Sequence, residues 1–130
     1  MKTTSLAMAS LYLIGIVMVQ AAEADKPDSP RERVARVQIK QLDSALKLFM
    51  LDCAVPPTEK QGLKALIVDP EIKGWNGPYI DGKKVLLDPW GTAFRYMTPK
   101  ERDAPAYRII SAGRDKKFGT KDDISSSDKR

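Results

Sequence analysis

The 130-residue sequence has no histidine and one cysteine, Cys53. Without histidine there is no imidazole general base, no Ser–His or Cys–His nucleophile pair, and little material for a zinc site. A lone cysteine cannot close an internal disulfide. Cys53 ends a helical apolar stripe and reads as a small buried hydrophobe. A long spanning segment is also missing. The apolar run over residues 6–19 falls short of the 18 or more residues that make a confident transmembrane helix. The charge is mixed: the net +5 comes from 22 Lys and Arg against 17 Asp and Glu. No dense basic block is interleaved with aromatics, which argues against nucleic acid as a partner.

What remains is an ordinary globular composition, 42% hydrophobic and 30% charged, in a chain with room for one core. Residues 1–24 have the three parts of an export signal: Lys2, an apolar stretch, and small residues at Ala21, Ala22 and Ala24. Cleavage near Ala22 or Ala24 would deliver the rest to the periplasm or outside. An uncleaved segment would instead anchor the chain in the inner membrane. Residues 25–30 form a polar linker in which Pro27 and Pro30 stop any helix continuing from the apolar segment.

Ser29 is a good N-cap and Pro30 suits a first helical position, so a helix is expected from Pro30 to about Cys53. Its predicted buried stripe is Ala35, Leu42, Ala45, Leu46, Phe49 and Cys53. Arg33, Arg36, Lys40 and Lys47 are expected on the opposite face. Thr58 and Gln61 make a capping-box pattern opening a second, short helix to about Val68. Beyond Gly74 turns alternate with strand candidates at residues 84–87, 93–97 and 106–111. Three such strands need a helix over one face, which gives an α+β fold over residues 31–124. A polar tail, 125–130, is expected to fray. Trp75, Tyr79, Trp90, Phe94 and Tyr96 read as packing residues, and Asp88 before Pro89 as the fixer of a turn.

One stretch suggests site chemistry. Asp115, Asp122 and Asp123 share a loop with Gly113 and Gly119. Calcium takes six to eight oxygens from carboxylates and main-chain carbonyls on a backbone that curls. The EF-hand spacing is absent. From chemistry alone the signal is weak: three lysines lie among the carboxylates, and most such loops are simply solvated.

Five segments in order resemble the major pseudopilin of type II secretion. They are Ala45–Asp52, the Pro57–Leu66 segment PTEKQGLKAL, Trp75–Ile80 (WNGPYI), Leu87–Gly91 (LDPWG), and Ile110–Asp115 with Asp122-Asp123-Ile124. The resemblance implies a long helix packed on a three-stranded antiparallel sheet with a C-terminal calcium loop. It also implies a non-enzymatic, structural role among other pseudopilins or secretion components. The implied side-chain ligands are Asp115, Asp122 and Asp123, with main-chain oxygens of Ala112 and Lys117. Two departures modify this. Lys116 stands where the family commonly has Gly, and with Lys117 and Lys121 it is expected to weaken calcium binding. At the N-terminus the family's apolar helix with a glutamate at its fifth mature position is not matched, which tells against a place in a filament core. The other reading is a soluble periplasmic binding module that reuses the fold.

Overall fold

A computed structural model of the chain describes residues 28–128. The expected export signal and linker residues 25–27 lie outside the described residues. Helix α1 is Pro30–Cys53, followed by a 3₁₀ turn at Gly62–Leu66 and another at Lys83–Leu86. Three strands follow: β1 (Arg95–Met97), β2 (Arg108–Ser111) and β3 (Ile124–Ser125).

Helix α1 starts where its sequence says it should. The Ser29 side chain accepts from the Glu32 amide at 3.3 Å, and the Glu32 carboxylate accepts from the Ser29 amide, a complete capping box behind Pro30. Its end is set by Ala54, which turns left-handed (φ 68°) and donates its N–H to the Met50 carbonyl. Pro56 and Pro57 then prevent continuation. The buried face is Ala35, Ile39, Leu42, Ala45, Leu46, Phe49 and Cys53, the expected stripe plus Ile39. Arg36 is a correction. It does not lie on the solvent face but is half-buried, with Nε 2.6 Å from Asp28 and Nη1 3.7 Å from Asp128.

The sheet has the order β1-β2-β3 and both pairings are antiparallel. Tyr96 lies opposite Ile109, and Ser111 opposite Ile124. Alternation turns Tyr96, Ile109, Ser111 and Ile124 inward. There Tyr96, Ile109 and Ile124 meet Leu42, Leu46 and Phe49 from α1 and Leu66 from the first 3₁₀ turn.

Three elements differ from the sequence reading. The second helix is a five-residue 3₁₀ turn. Thr58 and Gln61 do exchange both capping bonds, at 3.0 and 3.2 Å, but Gly62 is left-handed (φ 58°) and breaks an α-helix at once. Residues 84–87 are not a strand: they enter the second 3₁₀ turn, and only Leu87 bridges to Ala93. The third strand is instead Ile124–Ser125, which the sequence reading placed at the loop's end and in the tail. That tail is tied down as far as Asp128. Ser126 exchanges hydrogen bonds with the Ile109 backbone at 2.9 and 3.0 Å, and Asp128 accepts from the Ser125 amide at 2.9 Å.

The aromatics pack as expected. Phe94 and Tyr96 are buried, and Trp75, Tyr79 and Trp90 lie half-buried against the core. Trp75 Nε1 donates to the Ala65 carbonyl at 2.8 Å, and the Tyr96 hydroxyl to that of Pro57 at 2.7 Å. These two polar tips are therefore satisfied within the fold.

Candidate functional site

The loop between β2 and β3 carries every side chain singled out for site chemistry. Its base is fixed by a buried relay. Ser111 Oγ donates to Asp88 Oδ2 at 2.7 Å and accepts from the Gly113 amide at 3.2 Å. Asp88 Oδ1 accepts from the amides of Trp90 and Thr92, at 3.1 and 2.8 Å. One carboxylate thus holds both the Asp-Pro-Trp-Gly turn and the start of the acidic loop. The sequence reading had Asp88 as a turn fixer, but not its bond to Ser111, which is 23 residues away.

Gly113 brings the two limbs of the loop together. It is left-handed (φ 75°), and a Cβ there would fall 2.1 Å from the Asp122 carbonyl oxygen. Only glycine admits that approach. Lys116 is also left-handed (φ 58°), a conformation that L-residues avoid. This is the position where the resemblance calls for glycine.

The three aspartates lie on this loop and serve its backbone. Asp115 Oδ1 accepts from the Lys117 amide at 2.9 Å, and Asp122 Oδ2 from the Asp115 amide at 3.2 Å. Asp123 Oδ2 accepts from the Gly119 amide at 2.7 Å. The Lys117 amide, followed by the Thr120 hydroxyl, holds the Asp115 carboxyl below the ordinary carboxylate range. Asp123 Oδ1 is buried and has no hydrogen-bond partner among the described residues. Ala112 is fully buried, and the Lys117 carbonyl accepts from Thr120 Oγ1 at 3.3 Å. At the far side the Arg95 guanidinium stacks over Phe118, 3.9 Å from the ring centroid. Neither residue was marked in the sequence, because β1 and the loop meet only after folding.

A polar cavity of about 450 Å³ adjoins the loop, lined among others by Glu32, Arg36, Lys121, Asp122 and Asp128. The loop is thereby next to the start of α1. Its donor chemistry, all hard oxygens, suits calcium, and Asp123 Oδ1 is one oxygen without other engagement. In the arrangement described, the carboxylates cap amides, and no three acidic side chains gather as a metal-binding group among the described residues.

The long helix laid on a small antiparallel sheet, with the acidic loop feeding the last strand, defines a pseudopilin-type domain. It superposes on the crystal structure of the major pseudopilin from the type 2 secretion system of enterohaemorrhagic Escherichia coli with a TM-score of 0.61. The two are 30% identical, over 84% of this chain and 91% of that one. The chain is 32% identical over 123 residues to a type II secretion system core protein G of Pseudomonas aeruginosa, covering 88% of this chain and 83% of the relative. It is 34% identical over 121 residues to one of Escherichia coli, covering 91% and 77%. The family profile described as type II secretion system (T2SS), protein G, matches residues 23–127. The chain belongs to that family.

Proposed function

We propose that the chain is a non-catalytic structural subunit of a type II secretion apparatus, working on the periplasmic side with other pseudopilins or secretion components. The observation that carries this is the match of the whole helix-on-sheet domain at 30% identity to a major pseudopilin. The lack of histidine and the engagement of the loop carboxylates with main-chain amides speak for structure over catalysis. Deleting the gene in its host and measuring secreted proteins tests the role. Selective loss of exported proteins, restored by the gene, is expected. Normal secretion would leave a binding module outside the apparatus. Among the described residues no helix is long and apolar enough to cross a membrane. The proposed export is assigned to residues 1–24, and the intact mass of the native protein reads whether they are removed.

Calcium completes this reading. Asp115, Asp122 and Asp123, with the carbonyls of Ala112 and Lys117, would hold the ion, and the buried oxygen of Asp123 supports it. The ion would supply positive charge between two acidic limbs and so order the loop. Binding to the folded form alone stabilises by about 2.7 kcal/mol at a hundredfold excess over Kd. A melt with calcium should therefore run several degrees above one with chelator, and Asp122→Ala should abolish the difference. Superimposable wild-type curves would remove calcium from the proposal.

A further inference from the structure

With the strand order β1-β2-β3, the acidic loop joins the middle strand to one edge, and β1 is the opposite edge. The loop nevertheless reaches β1, because the Arg95 guanidinium lies 3.9 Å from the centroid of the Phe118 ring. Arg95 pairs with Ile110, and Ile110 with Ser125, so the three form one row across the sheet. Tyr96 is buried toward α1 and Arg95 is exposed, which puts this row on the sheet's other face. Phe118 ties the tip of the loop to the end of that row. Among the described residues 114–122, Phe118 alone is apolar, and it alone is not exposed. Its neighbours are Arg, Asp, Lys, Gly and Thr, which lose nothing by staying in water.

The loop's other side-chain bonds share a property. Asp115 accepts from the Lys117 amide, Asp122 from the Asp115 amide, and Asp123 from the Gly119 amide, while the Lys117 carbonyl accepts from Thr120. Each bond uses an oxygen of a residue proposed to hold calcium. An ion taking those groups competes with the very bonds that shape the loop without it. The Arg95–Phe118 contact uses no oxygen, so it is compatible with both states. Phe118 also directly follows Lys117, whose carbonyl is otherwise held by Thr120 at 3.3 Å. We infer that Arg95 and Phe118 are positioning residues for the calcium loop: a metal-independent clasp that keeps the Lys117 carbonyl in place before the ion arrives and after it binds. The positioning role deepens the calcium reading and rests on it. The sign of the effect separates a clasp from simple electrostatics. Were Arg95 only a positive charge near the loop, its removal would strengthen calcium binding. As half of a clasp, its removal loosens the loop and weakens binding by about two- to fivefold, the size of an exposed cation–π contact.

Two measurements on the full chain test this: limited trypsin digestion in chelator, and calorimetric titration with calcium chloride. Trypsin has exposed targets in the loop at Arg114, Lys116, Lys117 and Lys121. Arg95→Gln removes the cation, and Phe118→Leu keeps apolar bulk while removing the ring face. In chelator each should speed cutting within the loop by about two- to fivefold, because cleavage follows the open population. Each should raise the calcium Kd by about the same factor. Arg95→Lys, which keeps a cation, should restore part of both. The double variant should be no worse than the worse single one, since the two groups make one contact. A merely damaged fold would instead lower the urea midpoint and add the two losses. Tighter calcium binding by Arg95→Gln, loop cutting at the wild-type rate, or additive losses would each overturn the clasp. If the wild-type chain binds no calcium, the calcium reading falls and the positioning role falls with it. If it binds calcium and both variants bind equally well, the positioning role alone falls.

Discussion

Asp88 is a carboxylate only 5% exposed, and such a group is tolerated where donors surround it. Two amides and one hydroxyl do so, and they join the Asp-Pro-Trp-Gly turn to the base of the acidic loop. Asp88→Ala would strand all three donors, so a loss of about 3 kcal/mol is expected. It should appear as a lower urea midpoint at unchanged slope. A loss under about 1 kcal/mol would mean that the relay is dispensable. Lys116 presents the opposite case, a residue at odds with its backbone. Its left-handed φ of 58° costs an L-residue about 1–2 kcal/mol, part of which glycine's greater unfolded freedom takes back. Lys116→Gly should raise stability by about 0.5–1 kcal/mol even without calcium. It also removes one positive charge beside the proposed ion, so the calcium-dependent rise in melting temperature should grow. A lower melting temperature in chelator would refute the strain argument.

Between elements, a polar tie runs from α1 to the segment entering β2. The Tyr107 hydroxyl donates to Asp43 Oδ1 at 2.7 Å. Burial works to raise the Asp43 pKa, but the bonds from Lys47 and Tyr107 outweigh it and the carboxyl titrates below its ordinary value. A depressed carboxylate contributes stability above its unfolded pKa, and loses it as pH falls through the folded one. Burial first, then the hydrogen bond to Asp43 and its charge, pushes the Tyr107 phenol upward, and burial does the same to Tyr96. A raised phenol contributes fully below its unfolded pKa near 10 and loses that contribution as pH rises above it. Stability should therefore be flat between about pH 5 and 9 and fall on both sides. Tyr107→Phe should cost about 1.5–3 kcal/mol at neutral pH and soften both limbs of a chemical-denaturation pH profile. An unchanged profile would show that the tie contributes nothing. Helix α1 was legible because its signals are local: a cap, a proline and a 3.6-residue stripe, with only Ile39 omitted and Arg36 misplaced. The sheet was legible in β1 and β2, where aromatic and branched residues cluster. It was not legible in β3, whose two residues are a strand only because Ile110 and Ser111 lie beside them. The loop was legible as the place where three aspartates meet two glycines. The direction of each carboxylate was not, since that depends on which amide the folded backbone presents.

For the whole molecule, one side chain gathers the core. Phe49 is fully buried toward the C-terminal end of α1's inner face, edge-on to Tyr79 with ring centroids 5.7 Å apart. Phe49→Ala should cost about 3–5 kcal/mol, a large share of what holds a domain of this size together. A global melt lowered by only a degree or two would place the core elsewhere. The sheet has a further consequence. Its strands are three, four and two residues long, so its two rims expose few free amides and carbonyls. A neighbouring chain finds almost no template for adding a strand, the usual beginning of fibrillar aggregates and swapped dimers. The protein can therefore be crowded against copies of itself at high local concentration and remain a set of separate folded bodies, meeting through side chains rather than through shared backbone.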